Sequence, residues 1–335
     1  MNNNVAQVNP EKCNGVAKII SGLVLKKDFY QRNYLQHFTD TETLLRMHFF
    51  AVAICHQTHH LYHPGLNLFG WDYLEHVFVK LAKEKSDLLN PLFLAGLQTE
   101  NLVNRLKPEF SYDKNPENCT LDRLDQRASL MIECSERILD EYGGNLTNLL
   151  EKCDGYILKG GSGLYELLPR FEAFSDPLQK KSTFLIKLLM EAGLIKIKDP
   201  GNFIPIMDYH MQRVLLRLGC VEITDENYRK EIISRKVLKT DEPIRSLCVE
   251  AFRLIASDSG HPVTKMNDFF WSLGRSCCHQ TTLCTNHFCE KLPCTFTQIV
   301  DLKNHNHCTF QEICPGSFDK KFRDLWQPVV ETHFY

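Results

Sequence analysis

Apolar residues recur at helical spacing along most of the chain, with polar residues between them. This spacing is typical of amphipathic α-helices, and few stretches alternate as strands do. Capping signals bound three segments: Thr39-Asp-Thr-Glu and Asp176-Pro177 open helices, and Gly143-Gly144 closes one. The predicted helices are Phe38–Cys55, Gly70–Lys85, Asn90–Leu106, Leu121–Tyr142, Leu178–Ala192, Asp208–Gly219 and Pro243–Ala256.

The pattern predicts an all-α protein. A chain of 335 residues, 43% of them hydrophobic and 24% charged, has the composition of an ordinary soluble protein with a sizeable core. The first residues are rich in asparagine and show no apolar periodicity. We therefore expect residues 1–29 to be disordered, residues 30–270 to form the helical domain, and residues 271–335 to form a cysteine-rich, metal-binding segment.

The charge balance argues against a large nucleic-acid footprint. The formal net charge is −2 and the isoelectric point is about 6.7, so nucleic-acid binding would need a local basic patch. The start of the chain lacks the order of a signal peptide, and the apolar runs are too short to cross a bilayer. We expect an intracellular protein of the nucleus or cytoplasm, not secreted, monomeric and without a membrane partner.

Half of the fourteen cysteines lie between Cys277 and Cys314. Without a secretory signal, this clustering favours metal binding over disulfides. The predicted ligands are Cys278, Cys284, Cys289 and Cys294. Four thiolates suit a [4Fe–4S] cluster, and they equally suit a structural zinc ion. A second site, or zinc with mixed ligation, stays open, because more ligand-type side chains follow: His279, His287, His305, His307, Cys308 and Cys314.

Asp208 begins the most informative helix. Asp is a preferred N-cap, and the positive end of a helix stabilises a carboxylate without any further role. Behind it, Val214, Leu215 and Leu218 can face a core, and the polar positions form the other face. Those polar residues are Gln212, Arg213 and Arg217. A capping role and a catalytic role are both compatible with this pattern.

The segment Ile204–Gly219 resembles the catalytic segment of the helix-hairpin-helix DNA glycosylases, typified by endonuclease III. The matching residues are Pro205, Asp208, His210, Arg213, Val214, Arg217, Leu218 and Gly219, with one extra residue between the first two. Gly274-Arg275-x-x-Cys278 resembles the start of that family's [4Fe–4S] loop, although the later cysteine spacings differ. The resemblance implies that Asp208 stabilises the positive charge that develops on the sugar as a base leaves.

Two lysines lie where the strand-nicking members of this family carry theirs. Lys180-Lys181-Ser-Thr-Phe resembles a segment of the archaeal 8-oxoguanine glycosylases, which would favour Lys180, whereas the wording of endonuclease III would favour Lys181. A lysine in a desolvated pocket can lose its proton and attack the sugar as an amine. Paired lysines at a helix start also commonly form a solvated face, so both interpretations stay open.

A looser resemblance, over roughly residues 40 to 250, is to the queuosine salvage glycosidases, which release queuine from queuosine 5′-monophosphate. Its counterparts include Gly70-Trp-Asp-Tyr-Leu and Met207-Asp-Tyr-His-Met, but that family lacks the cysteine loop. Both resemblances imply an all-α, helix-hairpin-helix glycosylase-like domain that breaks a C1′–N bond. The candidate substrate-binding residues are His56, His60, Trp71, Tyr209 and His210.

We therefore expect an N-glycosidase, foremost a DNA base-excision glycosylase with Lys180 or Lys181 able to add lyase activity. A nucleotide glycosidase of the queuosine-salvage type is the first alternative. The second is a non-catalytic, metal-bearing module that binds nucleic acid. The partner is accordingly DNA or a modified nucleotide, and the cofactor is a [4Fe–4S] cluster or, alternatively, zinc.

Overall fold

The structure is a computed structural model, and it describes residues 5–26, 32–289, 294–302 and 304–335. The prediction of a mostly helical protein is confirmed. In these ranges the α-helices are α1 Pro10–Ser21, α2 Thr41–Ala53, α3 Trp71–Lys83, α4 Pro91–Ala95, α5 Thr99–Glu109, α6 Leu124–Tyr142, α7 Leu146–Cys153, α8 Leu164–Leu167, α9 Lys180–Glu191, α10 Tyr209–Arg217, α11 Glu226–Ile233, α12 Glu242–Ser259, α13 Val263–Ser272, α14 Leu283–Asn286, α15 Thr295–Ile299, α16 Pro315–Phe318 and α17 Lys320–Arg323.

The strands are short and occur in pairs. The antiparallel pairs join β1 (Ala6–Val8) to β4 (Val221–Ile223) and β2 (Tyr62–His63) to β3 (Leu68–Phe69). The third pair is parallel and joins β5 (Val237–Leu238) to β6 (Val329–Val330). The 3₁₀ turns are Asn33–His37, Asp87–Leu89, Pro116–Asn118, Leu168–Arg170, Glu172–Phe174 and Pro200–Asn202, and a single π-helical turn covers Leu273–Cys277.

The chain forms two compact units. The first combines the N-terminal residues up to 31 with Ile204–Glu331, and the second combines Arg32–Phe203 with Thr332–Tyr335. This division differs from the one expected from sequence. Residues 30–270 were expected to form one domain but are divided between the two units, and α1 lies in the region that was expected to be disordered. Asn9 caps α1, and the helix buries Cys13, Val16, Ala17 and Ile20. Packing on α12 and the pairing of β1 with β4 hold this segment within the first unit.

In the first unit, α10 lies at the centre of the core. It packs against α12, α13, β4 and the π-helical turn. The polar face expected from sequence is also buried, since Gln212 and Arg213 are fully enclosed and Arg217 is 5% exposed. Buried polar groups need partners, and each of these side chains makes hydrogen bonds within the unit.

In the second unit, α2 and α9 pack together, and α6 and α7 contact α2 as well. The expected helix Asn90–Leu106 is divided into α4 and α5, because α4 ends at its C-cap Gly96. The aromatic side chains Phe49, Phe171 and Phe174 form part of this core, with ring centroids 5.0 to 6.3 Å apart. Within the described residues, no helix has both the length and the apolar character needed to cross a membrane.

Candidate functional site

The cysteine-rich segment of the first unit contains a group of side chains that could hold a metal ion. Cys277, Cys294 and His305 bring their ligand atoms within 4.8 Å of one another. The Nε2 atom of His305 lies 3.5 Å from Sγ of Cys277 and 3.4 Å from Sγ of Cys294. Cys277 and Cys294 are buried, and His305 is partly exposed. The sequence-based expectation of a metal site in this segment is therefore confirmed at this coarse level.

Cys289 contacts the same group, because its side chain hydrogen-bonds to Cys277. This bond, with those to Cys294 and the effect of burial, raises the pKa of Cys277 well above its ordinary value. The hydrogen bond from Cys277 lowers the pKa of Cys294 to about 5, and the backbone amides of Thr297 and Phe296 contribute to that lowering. Cys277 therefore contacts the sulfurs of both Cys289 and Cys294.

The membership of this group differs from the predicted ligand set. Cys289 and Cys294 belong to it or contact it, whereas Cys278 and Cys284 are not members. Sequence spacing favoured Cys278 through the Gly-Arg-x-x-Cys pattern, but the adjacent Cys277 is the residue that reaches His305.

Helix α10 holds the start of this segment through its two arginines. Arg213 donates to the carbonyls of Gly274, at 2.7 Å, and Cys278, at 2.9 Å. Arg217 donates to the carbonyls of His279, at 2.7 Å, and Leu325, at 3.0 Å. The buried polar face of α10 therefore fixes the backbone on either side of the adjacent cysteines.

Gly274 lets this backbone approach the start of α10. A Cβ atom at position 274 would lie 2.6 Å from the carbonyl oxygen of His210, which is too close for any side chain. His210 itself is 9% exposed, and its Nδ1 lies 3.1 Å from Nη2 of Arg213. The Gly-Arg pattern therefore has a packing function, since only glycine fits against this turn of backbone.

Asp208 is the N-cap of α10. Its Oδ1 accepts a hydrogen bond from the backbone amide of Met211 at 3.0 Å, and the residue is 8% exposed. Tyr209 is half-buried, with its ring centroid 4.3 Å from that of His210. The carboxylate is therefore held at the positive end of a helix whose other residues are nearly all buried.

A cavity of the first unit lies beside Trp326. This Trp326 cavity has a volume of about 480 Å³ and is lined mainly by polar side chains. Its lining includes Arg217, Arg235, Arg323, Thr282, Asp324 and Trp326. The guanidinium of Arg235 stacks 4.0 Å from the centroid of Trp326, and that of Arg217 lies 5.5 Å away. Cations and hydroxyl groups around an indole ring are suited to an anion.

In the second unit, both predicted lysines start α9 beside the end of α2. Lys181 is fully buried, and its Nζ donates to the carbonyl of Ala53 at 2.5 Å. Burial lowers the pKa of Lys181 to about 7, and the charge of Lys180 adds to this lowering. Lys180 is 8% exposed, and its Nζ lies 3.8 Å from Sγ of Cys55. The solvated lysine face that the sequence left open is not observed.

His56 belongs to the same cluster as the lysines. It is fully buried, and burial together with the charges of Lys181 and Arg127 holds its pKa far below the ordinary value. Its Nε2 lies 3.1 Å from Oε1 of Gln126. Arg127 fixes this segment by donating to the carbonyl of His56 at 2.8 Å. The histidine is thus a neutral side chain of the interior at physiological pH.

The other predicted substrate-binding residues of this unit, Trp71 and His60, differ in burial and in the rings that they contact. Trp71 is partly buried at the start of α3, where its ring contacts Phe184 edge-on with centroids 4.6 Å apart. His60 is exposed, and its ring centroid lies 4.2 Å from that of His59. Turns rather than a helix connect Cys55 to Leu61, so helical spacing does not apply to these histidines.

Neither a known family model nor a curated protein sequence matches this chain. The assignment of a function therefore depends on the residues and on their geometry.

Proposed function

We propose that this protein is an N-glycosidase with a helix-hairpin-helix glycosylase-like fold, and that it releases a modified or damaged base from DNA. The position of Asp208 carries the proposal. A buried carboxylate with one oxygen fixed by the amide of Met211 is preorganised, so it need not be reoriented when charge develops nearby. The resemblance of Ile204–Gly219 to the glycosylase catalytic segment supports the same role.

The reaction requires stabilisation of a cation and delivery of water. The C1′–N bond breaks with its electron pair leaving on the base, and the sugar becomes oxocarbenium-like. The Asp208 carboxylate would stabilise that positive charge. Water then adds its oxygen to C1′, and its proton ends on the departing base, so atoms and charge balance. The lyase role of Lys180 or Lys181 remains a prediction that depends on this first step.

The Trp326 cavity supports a phosphate-bearing substrate. Three arginines against one aspartate give its lining a positive balance, although the whole chain has a formal net charge of −2. Phosphates are recognised by guanidinium groups in this way, and stacked arginines are well placed for it. A DNA strand and a free nucleotide both carry the phosphate, so the substrate assay needs an arm for each.

The deciding experiment measures base release by mass spectrometry from duplexes with modified bases and from queuosine 5′-monophosphate. Asp208→Asn should reduce release by about 100-fold or more, since one preorganised electrostatic group is lost. Asn is nearly as good an N-cap as Asp, so the fold should survive. Release from the duplexes alone would support the glycosylase, and release from the nucleotide alone would favour salvage.

Asp225→Asn is the matched control. Asp225 is also an N-cap, and it accepts a hydrogen bond from the amide of Tyr228 at 2.7 Å at the start of α11. Its loss should cost no more stability than the loss of Asp208 and should leave base release unchanged. Full activity of Asp208→Asn on a confirmed substrate would reduce Asp208 to a capping residue. No release from either substrate class would leave the non-catalytic, metal-bearing module as the better description.

We also infer that the metal held by Cys277, Cys294 and His305 is zinc. A sulfur about 2.3 Å and a nitrogen about 2.0 Å from one tetrahedral zinc lie about 3.5 Å apart. The two sulfur–nitrogen distances of 3.5 and 3.4 Å agree with that single-ion geometry. In a [4Fe–4S] cluster each protein ligand binds a different iron, which sets the ligands further apart. Cys289 would complete a Cys₃His set.

Metal analysis of the purified protein separates the two cofactors. Zinc without iron, and a colourless protein, are expected. A brown protein with broad absorbance near about 400 nm would instead identify a thiolate-bound iron–sulfur cluster. Cys119→Ser serves as the control variant, because Cys119 lies outside the cysteine-rich segment and its Sγ donates a hydrogen bond to the carbonyl of Leu121.

A further inference from the structure

We call Cys277, Cys294 and His305, with the neighbouring Cys289, the Cys277 group. Four cysteines of the C-terminal segment lie outside it. They are Cys278, Cys284, Cys308 and Cys314, and all four line one cavity of the first unit, which Cys277, Arg217 and Phe310 also line. Cys278 and Cys284 interact electrostatically with both Cys308 and Cys314. All fourteen cysteines of the chain are free thiols, so no disulfide accounts for this set. We call these four residues the second cysteine group.

The backbone around this group is arranged as it is around thiolate ligands. The backbone amide of Phe310 donates to Sγ of Cys308, two residues before it. The amides of Gly316 and Ser317 donate to Sγ of Cys314. The same pattern occurs in the Cys277 group, where the amides of Phe296 and Thr297 donate to Cys294. Outer hydrogen bonds of this kind orient a ligand atom.

The group is also anchored to α10. Nη1 of Arg217 lies 3.6 Å from Sγ of Cys278, and Sγ of Cys314 lies 3.3 Å from the carbonyl oxygen of Arg217. Gly316 packs where a Cβ atom would lie 3.2 Å from that same carbonyl. Cys278 and Cys314, which are far apart in sequence, therefore contact one arginine, Cys278 at its side chain and Cys314 at its backbone carbonyl.

We propose that Cys278, Cys284, Cys308 and Cys314 bind a second structural zinc ion. The adjacent residues Cys277 and Cys278 would then send their thiolates to different ions, so that the two sites interleave along the chain. Four sulfurs with all positions filled form a closed structural site rather than a catalytic one. Among the described residues no three of these sulfurs lie within 4.8 Å of one another, so zinc would draw them together. This proposal does not depend on the N-glycosidase activity.

Zinc content of the full-length chain, measured by native mass spectrometry and elemental analysis, tests the proposal. Two zinc ions per chain are expected. Cys308→Ser and Cys314→Ser should each lose one ion and keep the other, whereas Cys289→Ser should lose the Cys277-group ion and keep the second. Cys119→Ser should keep both. One ion in the wild type, or an unchanged content in Cys308→Ser and Cys314→Ser, would overturn the proposal.

Cadmium exchange gives a test that does not depend on the folding of any variant. ¹¹³Cd nuclear magnetic resonance of the wild type should show two signals, one from a four-sulfur site and one from a site with three sulfurs and a nitrogen. A single signal would contradict the second site. Peptide mapping under non-reducing conditions should find Cys308 and Cys314 as thiols, and a disulfide between them in freshly purified protein would also overturn the assignment.

Discussion

Lys181 allows the free-energy cost of a buried amine in the second unit to be measured. Its ammonium group is fully buried at the start of α9, and its pKa is lowered to about 7 from the ordinary 10.5. Lys181→Met removes the ionisable group and keeps a flexible chain of similar length. The variant therefore isolates the cost of burying this amine from the packing of its methylene groups.

The difference of about 3.5 pKa units corresponds to about 5 kcal/mol. Between pH 7 and 10.5 the unfolded chain holds a proton on this lysine and the folded chain does not. The free energy of unfolding therefore rises with pH in that window, by about 1.4 kcal/mol per unit. Below pH 7 both states are protonated, and the folded state bears the full cost of the buried charge.

The assay is urea unfolding followed by circular dichroism at several values between pH 7 and 9, for the wild type and for Lys181→Met. The wild type should gain about 2 to 3 kcal/mol over this range relative to the variant. The low pKa of His56 acts below pH 6.5, outside the window. Lys83→Met, at the exposed end of α3, is the control. Parallel pH profiles for wild type and Lys181→Met would refute the buried-amine argument.

Two further predictions concern the first unit. Gly274→Ala should destabilise the first unit by about 1–3 kcal/mol, because the added Cβ would lie 2.6 Å from the carbonyl oxygen of His210. Gly201→Ala is the control and should be tolerated, because a Cβ there would meet open space. Thermal unfolding of the two variants and the wild type measures the difference. Arg235→Gln should weaken the binding of a nucleotide or oligonucleotide to the Trp326 cavity by about tenfold, because one phosphate-binding guanidinium is lost. The affinity should also depend less steeply on salt concentration, and calorimetry measures both effects. An unchanged affinity would show that the cavity is not part of the substrate site.

The helices were largely predictable because their apolar periodicity is strong. The N-cap Asp208 and the C-cap Gly143 are where the sequence places them. Helix α2 is capped by Asp40, one residue after Thr39, and α9 begins at Lys180 after Gln179 and not at Asp176-Pro177. Helix α1 was not predicted, since its short segment becomes stable through tertiary packing on α12 and not through its own pattern. The break between α4 and α5 follows from Gly96, which ends α4 in αR geometry and was not recognised as a stop.

The environment of charged residues was less predictable. A periodic pattern places Arg213 and Arg217 on the polar face of α10, and polar faces usually meet water. Here the carbonyls of Gly274, Cys278 and His279 replace water, and they come from a segment some 60 residues later in the chain. The burial of Lys181 against Ala53 has the same origin. Periodicity describes one helix and cannot reveal the acceptors that another segment supplies.

The choice between Cys277 and Cys278 shows the same limit most clearly. Successive side chains leave the backbone in different directions, so two adjacent cysteines cannot easily serve one tetrahedral ion together. A spacing pattern can assign only one of the two adjacent cysteines as a ligand, and Gly-Arg-x-x-Cys assigns Cys278. The tertiary structure instead places His305 against Cys277, and the guanidinium of Arg217 against Cys278. Because many further cysteines and histidines follow Cys277 and Cys278, we interpret the two residues as ligands of two different metal sites and not as extra ligands of one.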